Sequence, residues 1–323
     1  MASLLSVENL QVQFQTKKGI NTAVDGVSFS VEKGRILGIV GESGCGKSVT
    51  SMSILQLLGS NARISGGSIK LDGKELIGLP EKEMCRIRGN DIAMIFQDPM
   101  TALNPTLTIG TQLMEPIMLH QNCGKKKAWT RAVDVLKRVG IAAPEKRMKE
   151  YPHQLSGGMR QRVMIAMAVS CEPRLLIADE PTTALDVTIQ AQILELMCEL
   201  REKMGTAIML ITHDMGVVAE TADDVLVLYA GKAVEYGSIE DIFERPKHPY
   251  TQGLLNSIPR LDEDVELLNT IEGTVPAPDA MPAGCRFAPR CPYGKDRCMK
   301  EKPGVYHAGN SLVSCFRYEG EKE

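Results

Sequence analysis

The sequence has few aromatic residues and no long apolar run. Only 4% of its 323 residues are aromatic, with a single tryptophan, whereas 43% are hydrophobic. No window approaches the roughly 18 uninterrupted apolar residues of a membrane-spanning helix. The first residues also lack a basic segment followed by an apolar one, which argues against a secretory signal. We therefore expect a cytoplasmic protein whose membrane role would depend on partners.

An excess of positive charge is also missing. Lys and Arg number 37 against 40 Asp and Glu, which gives a formal net charge of −3. This balance argues against a large surface for nucleic acid or anionic lipid. The length favours two or three folding units.

The most informative stretch is a phosphate-binding loop that begins at Gly41. It follows the apolar run Ile36–Val40 and precedes the helix-like stretch Val49–Leu58, so the order is strand, loop, helix. Its glycines allow backbone N–H groups to turn toward a phosphate chain, and the helix N-terminus adds partial positive charge. Lys47 is expected to reach the β- and γ-phosphates, and the Ser48 hydroxyl to hold Mg²⁺. The predicted ATP-binding residues of this stretch are Gly41, Glu42, Ser43, Gly44, Cys45, Gly46, Lys47, Ser48 and Val49.

One residue of this loop also carries a chemical prediction. Cys45 lies near a helix N-terminus and near Lys47, and both favour the thiolate form. A maleimide would then block ATPase activity, and ATP would protect the thiol. The alternative is that Cys45 is only a small spacer in place of a serine.

Apolar runs and helix-like stretches alternate over the rest of the chain. Four runs have the pattern of buried strands: Ile92–Phe96, Leu175–Ala178, Ile208–Ile211 and Val225–Tyr229. This alternation predicts an α/β fold with a doubly wound parallel sheet, and residues 4–40 predict a small antiparallel sheet before it. Apolar residues at helical spacing predict a helical insertion at about residues 101–169.

Two further motifs complete the predicted site. Asp179 and Glu180 directly follow an apolar strand, at the end where α/β folds bind ligands. Asp179 would hold the metal through water, and Glu180 would act as a general base on the attacking water. Ser156, Gly157 and Gly158 open a helix and create a second anion-binding helix end. One compact domain cannot turn both anion-binding helix ends toward one nucleotide. We therefore predict a dimer in which the helix opened by Ser156, Gly157 and Gly158, here called the signature, covers the nucleotide bound by the partner.

In their order and approximate spacing, these motifs resemble those of an ABC-transporter ATPase subunit, over roughly residues 4–240. The resemblance implies a RecA-like core and ATP hydrolysis. It implies that Gln97 contacts the metal or water, so that Mg²⁺ is held by Ser48, Gln97 and Asp179, and that the signature contacts the γ-phosphate across the dimer.

The same resemblance gives roles to three residues that are uninformative alone. His213 would be the switch residue beside the γ-phosphate, which makes Glu180, His213 and Gln97 the catalytic set. Asp186, which follows Ala184 and Leu185, would couple the two sites. Phe14 would stack on adenine, although an isolated phenylalanine is more often a core residue.

The residues 94–100, 179–192 and 248–251 resemble the ATPase subunits of dipeptide and oligopeptide importers. The resemblance implies a second ATPase subunit, with a heterodimer favoured over a homodimer, two transmembrane permease subunits and an extracytoplasmic substrate-binding protein. The chain would then lie peripherally on the cytoplasmic face of the membrane, without a nucleic-acid partner. Some close relatives serve nickel or other small substrates, so the cargo stays open.

A shift to proline-rich composition beyond Ile258 predicts a boundary between an ABC ATPase domain at residues 1–258 and a C-terminal extension at 259–323. Four of the nine cysteines lie in this extension: Cys285, Cys291, Cys298 and Cys315. Four thiolates complete the ligand set of a [4Fe–4S] cluster or a structural Zn²⁺. Related importer subunits carry [4Fe–4S] clusters at such cysteines, so the resemblance favours iron–sulfur over zinc, and free thiols are the remaining alternative.

Two other functions remain as alternatives. One is a soluble ABC ATPase of DNA repair or translation, but only 110 positions separate Lys47 from Gly157, which leaves no room for the long coiled coil of the repair proteins. Translation members usually join two cassettes in one chain, and this chain has one. The other is a redox-responsive regulator based on the tail cysteines.

Overall fold

The computed structural model describes residues 3–17, 19–98, 102–183, 186–258 and 270–320. Its strands are β1 Ser3–Thr16, β2 Gly19–Glu32, β3 Ile36–Val40, β4 Ala62–Leu71, β5 Lys74–Glu75, β6 Ile92–Ile95, β7 Leu175–Asp179, β8 Ala207–Ile211, β9 Asp224–Tyr229, β10 Lys232–Ser238, β11 Tyr306–Ala308 and β12 Ser311–Val313. Its helices are α1 Lys47–Ile54, α2 Glu81–Ile87, α3 Ile109–Gln121, α4 Lys125–Arg138, α5 Pro144–Arg147, α6 Gly157–Val169, α7 Val187–Met204, α8 Met215–Thr221, α9 Ile239–Glu244, α10 Pro249–Asn256 and α11 Asp296–Lys300.

The chain forms two compact units. The first unit contains Glu32–Arg35 and Gly78–Ile211. Within it, β7 pairs in parallel with β6 on one side and with β8 on the other. Every residue of β7 and β8 is buried. This continuous burial explains the unbroken apolar runs, since parallel strands are covered on both faces.

The helical insertion belongs to the first unit and occupies the predicted place. It contains α3, α4, α5 and α6. Thr108 caps α3, because its side chain accepts a hydrogen bond from the Thr111 N–H at 3.3 Å. In α4 one face is buried through Ala128, Ala132 and Leu136, whereas the lysines at its start are exposed. In α4, therefore, the apolar residues at helical spacing form the buried face of an amphipathic helix.

The second unit contains Ser3–Val31, Ile36–Ile77 and Thr212–Glu323. Its N-terminal part is a sheet of strand order β2-β1-β4-β5, in which β1 and β4 are antiparallel. Its other strands begin with the parallel pair β3 and β9, followed by β10 antiparallel to β9. The parallel pairs and the antiparallel N-terminal sheet confirm the predicted α/β class.

The C-terminal extension packs within this second unit. Its strand β12 pairs antiparallel with β10, with Glu235 opposite Val313, and β11 pairs with β12. Phe287 is only 2% exposed; it makes an edge contact with the ring of Tyr229 and a tilted contact with the ring of Tyr250. Because the segment 259–269 lies outside the described residues, the boundary at Ile258 stays a prediction.

One predicted helix boundary is wrong. The stretch Val49–Leu58 was expected to be helical, but α1 begins at Lys47 and ends at Ile54. The helix ends because Gln56 adopts a left-handed backbone conformation with φ of 50°. The interpretations that involve Lys18, Pro99, Met100, Thr101, Ala184 and Leu185 fall outside the described residues.

No helix in the described part of the chain is both long and apolar enough to cross a membrane. The longest of them, α7, has Glu199, Arg201, Glu202 and Lys203 in its last two turns.

Candidate nucleotide site

The phosphate loop of the second unit depends on glycine at three positions. Gly41, Gly44 and Gly46 have φ angles of 151°, 76° and 100°, which side chains rarely tolerate. At Gly41 an added Cβ would lie 2.1 Å from the carbonyl oxygen of Leu228. At Gly44 an added Cβ would meet no atom within 4 Å. The loop is therefore pressed against β9 on one side and open on the other, where a phosphate chain could bind.

Lys47 and Ser48 follow the loop at the start of α1. The Lys47 side chain is buried, and its Nζ donates hydrogen bonds to the carbonyl oxygens of Gly41 at 2.6 Å and Glu42 at 3.2 Å. Ser48 is exposed in the first helical turn. A buried ammonium held within a glycine cradle and an exposed hydroxyl beside it fit the triphosphate and Mg²⁺ of ATP.

Cys45 differs from its sequence-based prediction. It is 2% exposed, and burial raises the pKa of its thiol although Lys47 Nζ lies 3.9 Å from the sulfur. Its carbonyl oxygen accepts a hydrogen bond from the Gly231 N–H at 2.8 Å. The predicted reactive thiolate is wrong, because desolvation outweighs the attraction of the nearby ammonium. Cys45 fits the alternative of a small spacer within the loop.

The predicted carboxylates Asp179 and Glu180 lie in the first unit, at the carboxyl end of β7, and Gln97 follows the neighbouring strand β6. Ile95 of β6 is in register with Ala178 of β7. Gln97 and Glu180 each follow two residues later, so their side chains come together. Gln97 Nε2 donates a hydrogen bond to Glu180 Oε2 at 2.7 Å. Asp179, the last residue of β7, is 4% exposed. The strand register thus brings the predicted base, its neighbouring amide and a buried carboxylate to one edge.

Glu180 has an unusual backbone conformation. Its φ of 48° lies in the left-handed region, which costs a residue other than glycine roughly 1 kcal/mol or more. Two contacts hold it there: its N–H donates to the Ile211 carbonyl oxygen at 2.9 Å, and Thr183 Oγ1 donates to its carboxylate at 3.0 Å. Such strained residues are concentrated at functional sites, because the fold must supply contacts that maintain them.

The signature residues lie elsewhere in the first unit, at the N-terminus of α6. Ser156 caps this helix by accepting a hydrogen bond from the Met159 N–H at 3.3 Å. Ser156, Gly157, Gly158 and Asp186 line one groove. Asp186 caps α7 through the Ile189 N–H at 2.9 Å. Two helix N-termini therefore face the same open groove, which suits an anion brought by another molecule.

His213 and Phe14 belong to the second unit, with the phosphate loop. His213 is exposed and follows Thr212, whose N–H donates to the Ile39 carbonyl oxygen at 3.2 Å. Phe14 is half-buried near the end of β1, opposite Ala62. The roles predicted for these two residues stay predictions.

Tyr250 contacts the phosphate loop from below. The sequence stretch 248–251 carries part of the family resemblance but gives no local signal for this contact. The hydroxyl of Tyr250 accepts a hydrogen bond from the Glu42 N–H at 3.0 Å. His248 is buried, and this burial lowers its pKa to about 3, so the imidazole is neutral and its Nδ1 accepts from the Tyr250 N–H at 3.1 Å. The Glu235 carboxylate accepts a hydrogen bond from the main-chain N–H of His248 at 2.9 Å. This buried network fixes the Tyr250 hydroxyl beneath the loop.

The tail cysteines were predicted to hold a cluster. All four line one pocket, together with Phe287 and Phe316. Among the residues that the structure describes, no three His, Cys, Asp or Glu side chains are arranged so that they could hold a metal ion. The pocket therefore gathers the thiols without forming a ready site for a single ion.

Comparisons with known proteins match the two parts of the chain separately. The ABC transporter family model matches residues 24–183, and the model for the oligopeptide/dipeptide transporter C-terminal region matches residues 234–298. A solved structure, the dimeric post-hydrolysis state of the ATP-binding cassette MJ0796 bound to ADP and Pi, superposes with a TM-score of 0.66. It is 27% identical and covers 73% of this chain and 98% of that one.

Curated relatives match the whole length. The oligopeptide transport ATP-binding protein AppD of Bacillus subtilis is 56% identical, over 99% of this chain and 98% of the relative. The dipeptide transport ATP-binding protein DppD of the same organism is 54% identical, over 100% and 97%. The oligopeptide transport ATP-binding protein OppD of Escherichia coli is 51% identical, over 98% and 93%.

The fold and the phosphate loop therefore define an ATPase of the ATP-binding cassette class. Within that class, the full-length matches and the C-terminal model show that the chain belongs to the family of oligopeptide and dipeptide transport ATP-binding proteins.

The burial of Cys45 gives a labelling prediction. In native protein a maleimide should modify the exposed Cys85 and leave Cys45 unmodified until the chain unfolds, because a buried, protonated thiol is a poor nucleophile. Mass spectrometry of peptides from native and urea-unfolded samples measures both sites. Rapid labelling of Cys45 in the native protein, prevented by ATP, would contradict the structure.

Proposed function

We propose that this chain hydrolyses ATP to energise the import of dipeptides or oligopeptides across the cytoplasmic membrane. The single observation that carries the chemistry is the hydrogen bond from Gln97 to Glu180, beside the buried Asp179. These are a water- or metal-contacting amide, a general base and a metal-binding carboxylate, which is the set that phosphoryl transfer to water requires. The family membership supports the coupling of this reaction to peptide transport.

In the proposed reaction, Lys47 binds the β- and γ-phosphates, and Ser48, Gln97 and Asp179 hold Mg²⁺ directly or through water. Bound Mg²⁺ would neutralise charge on the phosphates. Glu180 orients and deprotonates the attacking water, and the hydrogen bonds from Gln97 and Thr183 hold its carboxylate before the substrate arrives. His213 would contact the γ-phosphate.

The remaining part of the site would come from another ATPase subunit. The groove lined by Ser156, Gly157, Gly158 and Asp186 would receive the partner's γ-phosphate, since two helix N-termini face it. In return, the partner's signature would cover the nucleotide on this chain's phosphate loop, and Phe14 would stack on adenine. ATP would thus close the dimer, and hydrolysis would release it.

Replacement of the proposed base tests this assignment. In Glu180→Gln the steady-state ATPase rate should fall by at least about 100-fold, because the amide cannot accept the proton of the attacking water. ATP binding, measured by equilibrium dialysis, should persist, since Lys47 and Ser48 are unchanged.

Glu195→Gln is a matched control, because Glu195 lies on an exposed part of α7. A Glu180→Gln variant with the wild-type rate would overturn the assignment of the base. A wild-type protein that neither binds nor hydrolyses ATP would overturn the proposed function itself.

We propose three kinds of partner: a second, similar ATPase subunit in a heterodimer, two transmembrane permease subunits and an extracytoplasmic binding protein that selects the cargo. The chain would lie peripherally on the cytoplasmic face of the membrane. This arrangement is supported by the names of the relatives, which are components of transport systems. Nickel or another small substrate is the alternative cargo.

Purification of the tagged chain from detergent-solubilised membranes tests the partners. Mass spectrometry should identify two integral membrane proteins and a second ATPase at comparable amounts. Recovery of the chain alone, or with ribosomal or DNA-repair proteins, would contradict the transport proposal and favour the soluble ABC ATPase. Stimulation of ATPase activity by a peptide-loaded binding protein, but not by a nickel-loaded one, would distinguish the cargo.

We further propose that Cys285, Cys291, Cys298 and Cys315 hold a [4Fe–4S] cluster with a structural role. The support is that all four thiols line one pocket. Four thiolates would supply the full ligand set of such a cluster, and a structural Zn²⁺ is the alternative. The cluster would pin the proline-rich tail in place.

Iron content tests the cluster. Anaerobically purified protein should contain about four irons and four sulfides per chain and show broad visible absorption. Cys315→Ser should lose most of the iron, whereas Cys85→Ser, which removes an exposed cysteine outside the pocket, should keep it. Iron-free wild-type protein, or stoichiometric zinc in its place, would contradict the proposal.

A further inference from the structure

A residue of the C-terminal extension reaches the phosphate loop. Arg290 Nη1 donates hydrogen bonds to both carboxylate oxygens of Glu42, at 2.9 and 3.1 Å. The side chain of Arg290 is 6% exposed and that of Glu42 is 30% exposed. Because solvent is largely excluded from the guanidinium, this pair is screened less than the ion pairs of the surface.

The extension holds Arg290 in place from several directions. Its Nε donates to the Glu272 carbonyl oxygen at 2.9 Å and its Nη2 to the Ile271 carbonyl oxygen at 3.2 Å. Nη1 also lies 3.4 Å from the Tyr229 hydroxyl. The guanidinium is thus fixed by backbone and ring contacts before it meets Glu42, so little side-chain entropy is lost in the pairing.

Glu42 is equally constrained from the side of the loop. Its N–H is bound to the Tyr250 hydroxyl, and its carbonyl oxygen accepts from Lys47 Nζ at 3.2 Å. Glu42 therefore contacts Lys47 through its carbonyl oxygen and the C-terminal extension through its carboxylate. A displacement of the carboxylate would also displace the peptide group that Lys47 contacts.

The charge of Glu42 poses a problem for a loop that binds a polyanion. The Glu42 carboxylate directly precedes Ser43 and Gly44, the exposed part of the loop, and would repel phosphate oxygens. We propose that Arg290 is a positioning residue for ATP, which neutralises Glu42 and fixes its carboxylate so that the positive charge of Lys47 dominates the loop. This inference rests on the proposed binding of ATP by the loop.

Measurement of ATP affinity in full-length variants tests the proposal. We expect Arg290→Met to raise the Kd of MgATP, measured by isothermal titration calorimetry, by about tenfold, the scale of one uncompensated charge near a binding site. The double variant Arg290→Met/Glu42→Gln should return close to the wild-type Kd, because it also removes the unpaired carboxylate. Arg290→Lys keeps the charge and should retain most of the affinity.

Arg297→Met is the matched control. Arg297 also lies in the extension and forms ion pairs with Glu301 and Glu319, but its partners are exposed and belong to the extension itself. Its replacement should change the Kd of MgATP by less than about twofold. Raising the ionic strength should narrow the gap between Arg290→Met and wild type, which a packing defect would not do.

An unchanged Kd of MgATP in folded Arg290→Met would overturn the inference. An equal loss of MgATP affinity in Arg290→Met and in the double variant would also overturn it, because it would indicate a packing defect and not an effect of charge. If Arg290→Met does not fold, Arg290→Gln takes its place: a raised Kd that the added Glu42→Gln restores supports neutralisation, and an unchanged Kd overturns it. Failure of the wild-type protein to bind ATP would instead reject the proposed function, so the two failures are distinguishable.

Discussion

The close approach of the phosphate loop to the β9–β10 hairpin constrains the second unit. Gly41 lies so near the Leu228 carbonyl oxygen that no side chain fits, and the Gly231 N–H is bound to the Cys45 carbonyl oxygen. The hairpin thus supports the buried side of the loop, and the outer side of the loop is open to solvent. Burial of Cys45 and of the Lys47 stem follows from this approach, and so does the loss of the thiolate.

The same hairpin organises the C-terminal extension. Arg286 donates to the Ala230 carbonyl oxygen and lies 3.3 Å from Asp25 of β2, while Phe287 packs on Tyr229 at the end of β9. The extension and the loop therefore contact neighbouring residues of the β9–β10 hairpin, between Leu228 and Gly231. This shared support is the physical reason why a segment with little apolar periodicity forms part of the compact unit that contains the loop, rather than a body of its own.

Local patterns predicted most of the strands of the fold, whereas the roles of the site residues stay predictions. The apolar runs gave β3, β6, β7, β8 and β9 to within one or two residues, and strand register alone accounts for the meeting of Gln97 and Glu180. What the sequence could not predict depends on distant packing. Residues from β9, β10 or the extension decide three such features: the burial of Cys45, the neutral state of His248 and the partner of Glu42. No local spacing in the sequence predicts them.

The separation between Glu42 and its supports has a consequence for biosynthesis. Tyr250 and Arg290 follow Glu42 by 208 and 248 positions, so the ribosome completes the loop long before it makes the residues that hold it. Contacts of such high sequence separation form late, because chain closure must precede them. A nascent or truncated chain would carry the whole phosphate-loop motif and yet lack its buried supports, so the finished loop is a property of the complete polypeptide.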